Sequence, residues 1–257
     1  MREIVSLQIG QFALIYILLI IILIIMKKCK INQSKLLLIG SFRMTVQLIL
    51  AGLILTYIID HPHPIFTIIY LILMIGYAIR MVLVRNPGIN KKFQYVIGIS
   101  LASSGILIIS FFLIVVVGVG MFDPQYTIPI SGMIIGNALT GVSLGVKSFH
   151  EAIVTKRARI DTLLNIGVTP AKILTPFANE ATETALLPTI NNMMGMGIIS
   201  LPGMMTGQIL SGTMPMTAIL YQIAIIIAIT AVTCLSVFGA LFFGFRTLYN
   251  KRSQLRF

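Results

Sequence analysis

"LQIGQFALIYILLIIILIIMKKCK", residues 7–30, runs through some twenty oily positions and then stops abruptly at three lysines. A helix needs about 20 mainly apolar residues to cross the hydrocarbon of a bilayer, and residues 7–26 supply them. The run is too long for the apolar region of a secretory leader, and lysines rather than a small-residue cleavage site follow it, so the segment is expected to stay in the mature chain. A chain that begins this way is read as a membrane protein, and the rest of it agrees. Of its 257 residues 57% are hydrophobic and only 10% charged, and the mean hydropathy is +1.00. A water-soluble fold with an ordinary polar surface is excluded by that balance.

Seven apolar runs are long enough to span: 7–26, 36–59, 64–84, 93–120, 127–146, 184–212 and 215–245. The expected fold is an all-α integral membrane protein of about seven transmembrane helices, forming a single transmembrane domain over 1–257. Its net charge of +12 does not indicate nucleic acid, because the basic residues punctuate apolar runs instead of gathering on one water-facing surface. Positive charge favours the cytoplasmic side of a membrane, and placing the N-terminus outside and the C-terminus inside puts 18 of the 19 basic residues on or near that side, leaving only Arg2 outside. The two cysteines, Cys29 and Cys234, do not make a disulfide framework.

Charged side chains deep in hydrocarbon mark ion pathways. None falls near the middle of a span here, since Arg43 and Arg80 lie close enough to helix ends to snorkel. That weakens an ion-coupled secondary carrier, which is the alternative reading, and a membrane scaffold or sensor is weaker still. Uncharged polar residues do enter the spans. Arg43 and Gln47 share a helix face, Asn137 lies in the fifth span, and Asn191 and Asn192 lie in the sixth. Hydrogen bonding between helices is the favoured reading of these groups, and lining a translocation path is the functional one.

"NNMMGMGIISLPGMMTGQILSG", residues 191–212, has five glycines, five methionines and a proline. A helix break near Pro202 and Gly203 is expected, and a broken helix at membrane depth is tolerated where protein or a water-filled cavity satisfies its backbone. This segment is the leading candidate for the translocation path, with Met194, Pro202, Gly203, Met204 and Met205 as candidate lining. Thioethers are soft metal ligands, yet methionine is also an adaptable apolar filler, and packing is the favoured reading. Gly132 with Gly136, and Gly203 with Gly207, have the spacing of close helix contacts. Asp60, His61 and His63 in "DHPHP" have metal-ligand chemistry, although the alternating prolines also describe a stiff turn.

Residues 147–182 form the longest stretch on the inner side. Gly167 after Leu163 and Leu164 reads as a helix stop, and Thr169 as N-cap with Pro170 at the first helical position reads as a restart. The resulting helix-turn-helix carries small and apolar residues at its tip, a pattern suited to a partner's groove.

A leucine-rich helix followed by Gly-[Ala/Val]-[Ser/Thr]-Pro resembles the cytoplasmic coupling segment of ABC transporter permeases. "IPISGMIIGNA" (128–138), "NIGVTPAKI" (165–173), "ALLPTI" (185–190) and "ISLPGMMTGQILSG" (199–212) are similar to the FetB/YbbM-type permeases, with Arg43 and Gln47 in "SFRMTVQL" matching that family's pattern. The chain departs from it at Asn191 and Met194, where many members carry an acidic residue and a lysine. The resemblance implies a multi-pass permease of the bacterial cytoplasmic membrane, exporting iron or another metal ion and working as a homodimer. It also implies that Leu163, Leu164, Gly167, Thr169 and Pro170 couple the permease to an ATP-binding subunit. The sequence has no Gly-x-x-x-x-Gly-Lys-[Ser/Thr] loop, so ATP hydrolysis is expected of a separate polypeptide and no cofactor of this chain itself.

Overall fold

The computed structural model describes residues 9–249, and every element in them is helical. In chain order they are α1 (Ile9–Lys28), α2 (Ser34–Asp60), α3 (Pro64–Arg85), α4 (Lys91–Phe111), α5 (Pro124–Thr155), α6 (Arg157–Asn165), α7 (Pro170–Gly195), α8 (Gly203–Leu210) and α9 (Pro215–Phe238). Wide π-helical turns prolong α4 over Phe112–Val117 and α9 over Gly239–Phe243.

The starts of these helices follow from local chemistry. Proline occupies the first turn of α3, α5, α7 and α9, where its missing N–H costs nothing. The Asp123 carboxylate accepts from the Gln125 N–H at 3.0 Å, and the Asn90 carbonyl accepts from the Phe93 N–H at 2.7 Å, so α5 and α4 begin on side-chain caps.

Six helices are long and apolar enough to cross a membrane: α1, α2, α3, α4 and α9 with their π-helical extensions, and α5. The expected sixth span, 184–212, is not one helix. It divides into the end of α7, a tight turn closed by pairing of Met196 with Ser200, and the eight residues of α8. Gly197 at φ 83° and Pro202 are the physical reason, since neither conformation continues a helix. The interruption expected near Pro202 and Gly203 begins earlier, after Gly195, and Pro202 and Gly203 mark only its far end, where α8 starts. Helix α7 instead starts well before that run, at Pro170, and carries Pro176 and Pro188 inside it.

The described chain forms two units by packing: one holds the residues up to Pro62 with Leu210–Gly212, the other His63–Ile209 and Thr213 onward. In the first, α1 packs along α2, and the Tyr16 and Thr45 hydroxyls share a hydrogen bond. Nearly all their apolar side chains are exposed, as expected of surfaces solvated by lipid.

In the second unit α5 is the central element, touching α3, α4, α7 and α9. Ile134, Val142, Val146 and Phe149 of α5 are buried with Ile97 and Leu101 of α4, Leu174 of α7 and Val232 of α9. The close approaches do not fall at the glycine pairs expected from spacing. A Cβ on Gly136, Gly203 or Gly207 would meet nothing, and one on Gly132 only a methionine methyl at 3.5 Å. On α5 the tight contacts are at Gly141 and Gly145, also four apart, and Gly239 and Gly244 beyond α9 are tight against Ser100 and Phe93. A Cβ on Gly145 would lie 3.1 Å from Val237 Cγ1 and 3.2 Å from Ala185 Cβ, and one on Gly141 would overlap Thr233 Cγ2.

Candidate functional site

At 32 residues, α5 is about 48 Å long, well beyond the roughly 30 Å hydrocarbon core. It carries its C-terminal turns out of any membrane it crosses. The break that ends it falls at Lys156, and nine-residue α6 follows. Lys156 is anchored to α7, with its ammonium 3.6 Å from the Glu180 carboxylate and over the Phe177 ring at 5.3 Å.

The end of α6 is a Schellman turn. The Val168 N–H donates to the Leu163 carbonyl at 3.0 Å, and the Gly167 N–H to that of Leu164 at 3.0 Å. Gly167 sits at φ +88° with nothing within 4 Å of a Cβ position, so glycine is required there by backbone conformation and not by crowding. Thr169 has the extended backbone of an N-cap, but its side chain makes no capping bond, and buried Pro170 opens α7. Leu163, Leu164 and Val168 pack on the core, whereas Ile166 is 71% exposed. The elbow is thus rigidly footed and presents Ile166 and Gly167 at its tip.

The second region lies where α7 ends. Met193 of α7, Met196 just beyond its end and Met205 of α8 line a cavity of about 400 Å³ with Leu201, Pro202 and Gln222. Gln222 is buried, and its Nε2 lies 4.0 Å from Met196 Sδ, while its Oε1 has no partner. Leaving an amide oxygen buried and unpaired costs about 1–3 kcal/mol. Thr230 Oγ1 lies 3.2 Å from Met193 Sδ and 2.8 Å from its own helix's Ile226 carbonyl. Its single hydrogen serves the nearer and stronger acceptor. Among the expected path residues, Pro202 and Met205 line this cavity, whereas Met194 is 77% exposed and Met204 packs on the core. Gly203 opens α8. Gln222 and Thr230 escaped the sequence reading, although polar residues eight apart in an otherwise oily helix share one face and were a usable signal.

The remaining polar candidates are at the surface of their units. Asn137 is exposed and donates back to the Met133 carbonyl of its own helix at 2.8 Å, which replaces the expected bond to a neighbouring helix. Asn191 and Asn192 are exposed on α7, and Arg43 and Gln47 are exposed on α2 in the first unit. The "DHPHP" residues serve local structure: His61 stacks on Tyr57 with ring centroids 4.9 Å apart, and His63 Nδ1 accepts from the Ile65 N–H at 3.3 Å. Asp60 ends α2. Among the described residues no three His, Cys, Asp or Glu side chains form a group able to hold a metal ion.

The family model described as "Uncharacterised protein family (UPF0014)" matches residues 9–249. The chain belongs to this family. It is 33% identical to a UPF0014 membrane protein of Synechocystis over 229 residues, covering 88% of this chain and 87% of that one. Against the "Probable iron export permease protein FetB" of Escherichia coli it is 30% identical over 257 residues, covering 95% and 93%. It is 28% identical to "Protein ALUMINUM SENSITIVE 3" of Arabidopsis thaliana over 83% of this chain and 77% of that one. No solved structure matches. The FetB-type resemblance read from the motifs is therefore a family relationship, and this UPF0014 protein is a multi-pass membrane protein with relatives in bacteria and plants.

Proposed function

We propose that this UPF0014 protein is the membrane-spanning permease subunit of an ABC transporter, exporting iron or another metal ion with energy from a separate ATP-binding subunit. The observation that carries the reading is the α6–α7 elbow. Its foot is held by Leu163 and Leu164 on the core, with the exposed Lys156–Glu180 pair beside them, and its tip offers exposed Ile166 beside left-handed Gly167. A rigid apolar knob on a surface otherwise rich in Lys and Arg suits docking into a groove of a partner protein. Because α7 runs from the elbow to the broken region after Gly195, a push on the tip would travel along it towards the cavity walls. Closure of the ATPase pair on ATP would supply that push.

The metal cargo follows the name of the Escherichia coli relative. Pairing of two permease copies is supported by exposed Asn137 and Thr140 on α5 and Asn191 on α7. Polar groups at membrane depth are costly against lipid, and a second copy or a water-filled path between copies removes that cost. The proposed orientation is N-out and C-in in the cytoplasmic membrane, with α7 as the sixth of seven crossings and α9 as the last.

Purification of the tagged chain in mild detergent from its own membrane tests the proposal. An ATP-binding polypeptide in near-equal amount is expected, and its loss from a variant altered at Gly167 and Pro170 assigns the contact to the elbow. Reproducible purification of the chain alone overturns the ABC reading and favours a carrier driven by an ion gradient.

A further inference from the structure

We infer that the cavity between the end of α7, α8 and α9 is a binding site for a soft monovalent metal ion, Cu(I) or Ag(I), held by the thioethers of Met193, Met196 and Met205 with the amide oxygen of Gln222. As a statement about cargo this rests on the permease reading; as a statement about binding it stands on the cavity alone.

Of the five methionines in 191–212, only Met193, Met196 and Met205 line the cavity. Met193 lies in the last turn of α7, Met196 follows it as the extended C-cap, and the turn closed by Met196 and Ser200 leads on to Met205, so that all three line the same space. Gln222 is 8% exposed and lines the same space, with an Oε1 that nothing satisfies. Reversing its amide does not cure this, because the oxygen would then face the Met196 sulfur, which has no hydrogen to give. The Thr230 hydroxyl bonds to the Ile226 carbonyl, which leaves the lone pairs of the Met193 sulfur uncommitted.

The donor set decides the class of ligand. Three thioethers and one amide oxygen are neutral, and the rest of the wall is apolar. Hard divalent ions take carboxylate, carbonyl and water oxygens in larger number, and the cavity has no carboxylate, imidazole or thiol. Thioethers select Cu(I) and ions like it, and a single positive charge is the least costly to strip of water in a wall without counter-charge.

The test uses the full chain in mild detergent with Cys29 and Cys234 replaced by alanine, because both are free and exposed and thiols bind silver. Titration calorimetry with Ag(I) is expected to show one saturable site per chain. Changing even an outer-shell partner of a metal costs about 10- to 100-fold in affinity, so the triple variant M193L/M196L/M205L should lose at least that much. Leucine keeps the volume, and a monodisperse size-exclusion peak confirms that the variant is folded. The variant M194L/M204L, altered off the cavity, should bind as the parent does. Absence of an Ag(I) site in the cysteine-free parent overturns the inference, as does equal binding by the triple variant or equal loss in M194L/M204L. None of these results bears on whether an ATPase accompanies the chain, so the two readings fail separately.

Discussion

Thr233 of α9 stands where a side chain on Gly141 of α5 would have to go: a Cβ there would overlap the Thr233 methyl, and Gly145 one turn on is nearly as tight against Val237 and Ala185. The central helix therefore meets α9 and α7 along a glycine seam, and helix contact of this kind is a main source of cohesion where lipid removes the hydrophobic driving force. Gly141→Ala should cost about 1–3 kcal/mol through overpacking, seen as a lower unfolding temperature in detergent. Adding Thr233→Ser removes the offending methyl while keeping the hydroxyl that donates to the Ile229 carbonyl. The double variant should recover most of the loss, and equal instability of the single and double variants would sink the seam argument.

Asn90 joins the start of α4 to the chain after α9. Its carbonyl caps the Phe93 N–H, and its Nδ2 donates to the Thr247 carbonyl at 3.1 Å. Asn90→Ala loses these and the contact of Oδ1 with the Thr247 hydroxyl, and should destabilise by about 1–2 kcal/mol. Asn90→Asp keeps the cap and the oxygen that lies 3.3 Å from the Thr247 hydroxyl, and loses only the Nδ2 donation to the Thr247 carbonyl, so its unfolding temperature should fall between those of the parent and the alanine variant.

Hydropathy made the helical class legible, because runs such as 7–26 and 64–84 admit no other reading. It failed at 184–212, where averaging over oily residues conceals that the helix stops before left-handed Gly197 and restarts only after Pro202. The elbow was legible at Gly167 and Pro170, since left-handed backbone and a first-turn proline leave marks in composition. Its foot was not, because the Lys156–Glu180 pair joins residues far apart in sequence. Close packing at Gly141 and Gly145 was passed over for two looser pairs of the same spacing, for spacing shows which residues share a face but not what lies opposite. The same limit hid which methionines converge.

Gly167 is constrained by its φ alone, so its replacements should form a graded series. Asparagine tolerates the left-handed region and should be mild, whereas valine should strain the turn by about 1–2 kcal/mol. With nothing packed against the position, membrane insertion and overall folding should survive in both. If the elbow docks the ATPase, the yield of co-purifying ATPase should fall in the order Gly, Asn, Val. Unchanged yield from the Val variant would separate the turn from docking.

Cys29 reports on orientation without any substitution. It is exposed just beyond α1, next to Lys27 and Lys28. In the N-out, C-in arrangement a membrane-impermeant maleimide should label it in inverted vesicles and not in right-side-out ones. Cys234, in the apolar body of α9, should stay unlabelled in both. Labelling of Cys29 from the outer side would reverse the arrangement and place the elbow away from any cytoplasmic ATPase.

The exposed polar positions of α5 and α7 distinguish a water-filled path from a lipid face. In a cysteine-free background, cysteines at Asn137 and Asn191 should react with a small water-soluble thiol reagent in intact membranes, because ionisation of the thiol requires water. Leu220→Cys on α9 is the comparison: Leu220 is 61% exposed, but its neighbours are apolar, and lipid should shield it. Reaction at 137 and 191 with none at 220 supports a wet path along these helices. Equal silence at all three positions would instead mean that the asparagines face lipid or a dry contact with a second copy, and cross-linking of two Asn191→Cys chains would then identify the dry contact.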